Sequence, residues 1–435
     1  MSKTLALLIA AAALALAFAG TAGAAPAAAP FDGGALGTAQ SALQILPTGL
    51  LGLGFDLSSV GVDPAALSTV GPVASTSATS GSMLIVDDDL ADCPNAQFTS
   101  IQAAVDAASP GATIKVCRGT YVEQVTIPAG KDGLTLFSEG DLQAVIKAPL
   151  VMSEPKAIVL VQGAHDVTLR HFTITGPGGG ACDSLRYGVR VDSGGSALIT
   201  DNHITHIRDA VPSGCQNGVG VLIGRNFEAT YGSGTIVHNL IDDYQKGGIV
   251  VDGQLPPDGG GFLAPTTAPP PPVSHAEVAY NEVDGIGPTA VIAQNGIQIS
   301  RGAVANVHHN VVQDNVYSPA TTTGEGILLY QVSSSETTVN HNDVHDNTDG
   351  IGLYTTSNVE VGWNHSHDNA PYDGLFANSD STHNTIEYNL LKGNAEFDCD
   401  DISAGPYNAP ALVANPWVQD LGYTENRPGL CKHAS

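Results

Sequence analysis

One short pattern recurs seven times along this chain: an apolar residue, two variable positions, Asn, a variable position, an apolar residue, a polar turn, then Gly–apolar–x–apolar. Its asparagines are Asn202, Asn239, Asn281, Asn310, Asn342, Asn364 and Asn389. Self-similarity at a period of about 20–50 residues marks a repeat architecture, in which each unit buries its apolar face only against its neighbours. The glycines are Gly188, Gly218, Gly248, Gly296, Gly326, Gly350 and Gly374, and the first and third residues after each are apolar in every copy. A strand period of two turns those residues to one face and the residue between them to the other. A second apolar set precedes each asparagine by three residues (Ile199, Ile236, Val278, Val307, Val339, Val361, Ile386). A third follows by two (Ile204, Ile241, Val283, Val312, Val344, Ser366, Leu391). Three short inward-facing strands per repeat describe one coil of a parallel β-helix. An asparagine at a tight turn satisfies local backbone groups and tolerates left-handed geometry. Stacked amides also bond to copies above and below, so this column is expected to hold the coil rather than to catalyse.

The ends of the chain have another character. Lys3, the apolar run Leu5 to Phe18 and Ala22-Gly23-Ala24 have the anatomy of a signal peptide over residues 1–24, which predicts a secreted protein. Residues 25–82 are rich in Ala, Gly, Ser, Thr and Pro and read as a linker. Order is expected from Met83, with an amphipathic helix over Phe98 to Ala108 capped by Ser100 or Thr99 and ended by Pro110-Gly111. That helix would cover the open end of a solenoid spanning 83–398, whose regular body begins near Gly111. Gln254 to Val273 interrupts the repeat as a Gly-rich and then Pro-rich insertion. Residues 399–435 read as a folded-back cap that leaves the repeat.

Six cysteines fall in sequence-local pairs, Cys93 with Cys117, Cys182 with Cys215 and Cys399 with Cys431. This is the simplest of several connectivities, and it suits an oxidising compartment. Acidic residues outnumber basic ones, 43 to 16, for a net charge of −27. Such a surface disfavours nucleic acid and anionic membranes, and beyond the leader no apolar run is long enough to span a bilayer. A polyanionic glycan would need a bridging cation such as Ca²⁺.

The stretch Ser100-Ile101-Gln102-Ala103-Ala104-Val105-Asp106-Ala107-Ala108 through Gly119-Thr120-Tyr121-Val122-Glu123, with the Asn/Gly repeats, resembles secreted right-handed parallel β-helix proteins of the pectin-lyase-like superfamily. The resemblance covers roughly residues 83–431. It implies an all-β, right-handed solenoid with a short N-terminal capping helix. It also implies a polysaccharide partner, since the family holds pectate and pectin lyases, polygalacturonases, pectin methylesterases and uronan epimerases. The polygalacturonase signatures Gly-His-Gly and Arg-Ile-Lys are absent, as are the methylesterase stretches. Arg190, Arg208, Arg225 and Arg301 lack, in sequence, the context of a lyase base. The resemblance therefore implies a glycoside hydrolase or lyase acting on a cell-wall or uronic-acid glycan, or a non-catalytic carbohydrate-binding or cell-surface module.

In that superfamily the working groove lies over the glycine-led sheet. Glu325, Asp349 and Asp373 each precede a glycine on consecutive coils, with Tyr330, Tyr354 and Phe376 outward on the same strands. Carboxylates one rung apart should perturb each other and raise one pKa, as for a general acid and base. They would equally suit Ca²⁺, or be ordinary turn residues. The aromatics would be a sugar platform or packing. A second cluster combines His345 and His367 with Asp343 and His365, which would serve as a base, hold a transition metal, or form a solvated turn face. No metal-ligand set and no oligomeric state is assigned from sequence.

Overall fold

A computed structural model describes residues 82–254 and 272–433. The signal peptide, nearly all of the linker and the interior of the insertion lie outside these residues. Short strands stack into three parallel sheets of 12, 12 and 10 strands, each adding every third strand in sequence order except for one consecutive pair at the start of one sheet and one at the end of another. We call them sheet 1 (before each asparagine), sheet 2 (after it) and sheet 3 (led by the glycines).

The apolar columns make the core. Ile199, Ile236, Val278, Val307, Val339, Val361 and Ile386 on sheet 1 are fully buried, as are Ile204, Ile241, Val283, Val312, Val344 and Leu391 on sheet 2. Burying each such side chain is worth about 1.5–3 kcal/mol, repeated coil after coil. Ser366 takes the one polar place in this column and donates its hydroxyl to Gly374 O at 2.7 Å. On sheet 3 the leading glycine also faces inward, because a Cβ on Gly326 would come within 2.4 Å of Val344 Cγ1.

The seven asparagines lie one above another. Each donates backbone N–H and Nδ2 to the Oδ1 of the next, at 3.1 Å for Asn202 to Asn239 and 3.0 Å for Asn364 to Asn389. Their second Nδ2 hydrogen binds a backbone carbonyl of the preceding coil, as Asn342 does on Val307 O. The left-handed residue is not the asparagine but the one before it: His238, His309, His341, Trp363 and Tyr388 have φ of 58°, 55°, 56°, 59° and 56°. A second amide ladder, absent from the sequence reading, runs Asn315, Asn347, Asn369, Asn394 at the turn between sheets 2 and 3. A third joins Asn384 to Asn415. The ladders end on Asp420, Asp398 and Asp401 respectively, each accepting the last asparagine's Nδ2.

Before the coils, the helix Ile101–Ala107 is capped by the Ser100 side chain, which accepts from Ala103 N, and buries Ile101, Ala104 and Val105. The solenoid starts at Met83 as expected, and its end differs from the sequence reading. Met83–Val86 already pairs with Thr113–Val116, so sheet 1 begins ahead of the helix. The sheets do not stop at Asp398: Cys399–Asp401 joins sheet 3, Trp417–Val418 joins sheet 1 and Leu421–Gly422 joins sheet 2. The tail read as leaving the repeat instead adds a coil. Disulfides join Cys93 to Cys117, Cys182 to Cys215 and Cys399 to Cys431, with Cα separations of 6.3, 5.8 and 6.3 Å.

Candidate functional site

The outer face of sheet 3 carries chemistry in three columns. Strand parity turns Leu328 and Tyr330 outward on one rung, and Glu325 joins them because Gly326 and Ile327 both face inward and break the alternation; Asp349, Gly352 and Tyr354 repeat this on the next rung. Glu325 pairs in register with Asp349, and Tyr330 with Tyr354. Asp373 precedes the following strand, where Phe376 pairs with Gly352 rather than with Tyr354. This face is unusually dry: Glu325, Asp349, Asp373 and Phe376 are all at most 2% exposed. Phe376 is thus outward but buried, and it presents no open sugar platform.

Glu325 is the distinctive group. Its side chain reaches over Gly352 on the next rung, where a Cβ would meet Oε2 at 2.6 Å. Any side chain at 352 would displace the carboxyl. Oε1 accepts from the Tyr354 hydroxyl at 2.8 Å, whereas Oε2 is buried without a hydrogen-bond partner. Burial pushes this carboxyl from 4.5 up to about 7, against the opposing pull of Tyr354, Thr323 and Lys246. The expected rise is present, but desolvation drives it, not a neighbouring carboxylate. Burial also drives the Lys246 amine down to about 8, and its Nζ donates to Ala293 O at 2.7 Å. The Tyr354 phenol is raised well above its ordinary range by burial and by the charge of Glu325 and Asp349, so it remains a donor.

Asp349 and Asp373 are engaged differently. Asp349 Oδ1 accepts from Asp373 N at 3.2 Å, and Asp373 Oδ1 from Phe397 N at 3.0 Å. Each carboxylate caps the backbone of the next rung, the turn chemistry anticipated for them. The two tyrosines do not share one platform: Tyr330 lies under the Arg301 guanidinium at 5.5 Å, and Tyr354 meets Phe376 at 5.4 Å with tilted rings.

Three of the arginines passed over in sequence also come to this face. Arg190 is buried against Asp192 and Glu228, and Arg301 donates to Asp252 at 3.0 Å while sharing Phe227 with Arg225. The pairs Arg190–Glu228 and Arg301–Asp252, dozens of positions apart, leave no local signal; only the coil register finds them.

His345 and His367 belong to sheet 2 and do not share a site with Glu325. They pair in register, and their rings stack at 4.9 Å. His367 Nδ1 bonds Asp368 at 2.7 Å, and this bond holds the Asp368 carboxyl below its usual range. A shallow depression of about 510 Å³ lies over sheet 1, lined by Thr168, Leu198, Thr235, Glu277 and Asn306. Of its carboxylates, Glu277 is already engaged by His308 and Asn306.

Comparison with known proteins agrees with this architecture. The family model described as a right-handed beta helix region matches residues 272–399. No curated protein matches. Among solved structures, one of XylC with xylose is similar at a TM-score of 0.51 and 14% identity, covering 79% of this chain and 75% of that one. The GH136 lacto-N-biosidase of Eubacterium ramulus is similar at 0.51 and 14%, covering 81% of this chain but 66% of that one, just under two thirds of its length. The DFA-IIIase of Arthrobacter chlorophenolicus A6, solved without its lid and in complex with GF2, is similar at 0.50 and 13%, covering 80% and 92%. Three stacked parallel sheets, the Asn/Gly coils and these likenesses agree: the chain is a right-handed parallel β-helix protein with the pectin-lyase-like fold.

Proposed function

We propose that this is a secreted polysaccharide-acting enzyme that cleaves or modifies a glycan on the outer face of sheet 3, with Glu325 as general acid. The observation that carries the reading is the buried carboxyl with one oxygen held by Tyr354 and the other unpartnered. An acid whose pKa lies near 7 is still substantially protonated at neutral pH and matches the driving force that proton donation to a leaving oxygen requires. Asp349 pairs in register with Glu325 one rung on and supplies the second carboxylate of this face. Arg190 and Arg301 are already neutralised by carboxylates, and the chain carries 27 net negative charges. Both facts favour a neutral glycan over a uronic one unless Ca²⁺ bridges the charges. The names of the similar structures, which include a biosidase and a complex with xylose, agree with a carbohydrate substrate.

The test is turnover by the full chain on neutral and uronic glycans, with and without Ca²⁺, compared with Glu325→Gln. Release of sugar ends by the wild type and its loss in the variant is the expected result. A second reading, a binding module without turnover, draws on the structural engagement of Asp349 and Asp373. Glycan retention without turnover, lost on changing Tyr330 and Tyr354 to alanine, would establish it instead.

A further inference from the structure

On sheet 2, parity points Asp343 and His345 outward from one strand and His365 and His367 outward from the next, with Val344 and Ser366 buried between them. Asp343 stands beside His365, and His345 beside His367. The His365 and His367 rings stack at 4.1 Å. One ligand atom each from Asp343, His345 and His367 lies within 4.8 Å of the others. The column is closed on both sides. Gln313, beside His345, is turned to Asp284, and Lys392 stands beside His367.

The outer nitrogens are already assigned. His345 Nδ1 meets Asp346 Oδ2 at 2.8 Å, and His367 Nδ1 meets Asp368 Oδ2 at 2.7 Å. A carboxylate accepts only, so each Nδ1 carries a proton and each neutral ring offers a lone pair at Nε2. Yet His367 Nε2 stands 3.1 Å from Asp343 Oδ1, which is also an acceptor, and His365 Nδ1 stands 3.1 Å from the same oxygen. A cation between these two atoms, whether a proton or a metal ion, lets both lone pairs be used at that separation. One divalent ion satisfies the same atoms with neutral rings. Histidines whose second nitrogen is held by a carboxylate are the arrangement that orients metal ligands and raises their basicity.

We propose that Asp343, His345 and His367 form a binding site for a borderline divalent transition metal of the zinc type. Two imidazoles and one carboxylate, with no sulfur, match that class, and three protein ligands leave a position open to solvent or ligand. Asp346 and Asp368 are positioning residues. The His345 and His367 side chains are each 18% exposed and Asp343 45%, so an ion reaches the site from solution. The site stands apart from Glu325 and does not depend on the function proposed for sheet 3.

The experiment is titration of the chelator-treated full chain with Zn²⁺ by calorimetry, with Co²⁺ absorption as the spectroscopic readout. One ion per chain is expected, with binding abolished in a His345→Ala/His367→Ala double variant. Asp346→Asn is expected to weaken binding about 10–100-fold through ring orientation alone, with unchanged metal-free melting. The proposal is overturned if the wild type binds no stoichiometric ion. It is equally overturned if binding survives in the double variant, or is lost instead on changing His309 and His341, the left-handed residues before Asn310 and Asn342.

Discussion

Glu325 on sheet 3 and His367 on sheet 2 are both outward residues two coils apart on one solenoid, yet they live in opposite solvents. The glutamate is 2% exposed and is held partly neutral by dryness. The histidine is partly wetted and paired with carboxylates on both ring nitrogens. A solenoid gives every coil the same parity but not the same cover. Chemistry on such a scaffold is therefore chosen by what lies over a face, and the strand that presents it is interchangeable.

The largest effect that would break this contrast is catalytic. Glu325→Gln is expected to lower glycan turnover about 10²–10⁴-fold, the usual worth of a positioned acid, whereas His367→Ala leaves turnover unchanged; an assay of reducing ends decides. Loss in the histidine variant would merge the two faces into one site. Next comes the turn that separates them. Asn369→Ala strips the acceptor from Asn347 N and the donor from Val344 O, while Asn347 Nδ2 keeps Val312 O and His345 O. Each buried group left unpaired costs about 1–3 kcal/mol, so denaturant unfolding should show a loss of about 3 kcal/mol.

Stability against pH sharpens the comparison further. The folded pKa of Glu325 is raised, from 4.5 to about 7. Folding thus favours the neutral acid, and its contribution, complete below about pH 4.5, is lost as pH rises through about 7. Asp420, raised from 3.8 to about 7 mainly by burial, adds a loss of the same sign. Melting temperature should fall between pH 5 and 8, and less steeply in Glu325→Gln. The smallest effect concerns Tyr354, whose hydrogen bond pulls the Glu325 pKa down. Tyr354→Phe should move the alkaline limb of the activity profile upward, by less than the shift that burial itself produces.

The solenoid was legible because its signals repeat: Asn342, Asn364 and Asn389 stand in one column, and the cysteines join their nearest partners in sequence. The second ladder escaped notice because its column opens with Ile207, Tyr244 and Ile286 before it becomes Asn315. Its first acceptor bond comes from the Tyr244 hydroxyl, at 2.6 Å. The ring column His238, Tyr280, His309, His341, Trp363, Tyr388 was hidden by mixed identities that share only a left-handed backbone and stacked rings 4.4–6.1 Å apart. At the site, the order Glu325, Asp349, Asp373 could be read, but not that the first would be dry and the others tied to backbone. That depends on Gly352 vacating the space into which Glu325 leans.

Each stack of amides has a direction. Every asparagine both gives and takes, but the aspartate at the far end of each stack only takes, so the series has a last member written into its chemistry. Duplicating a middle coil would extend the stacks without a mismatch. Adding one after Asp420, Asp398 or Asp401 would set a carboxylate where the newcomer needs a donor. The molecule can lengthen from within but not from that end, and three acids thereby set where its winding stops.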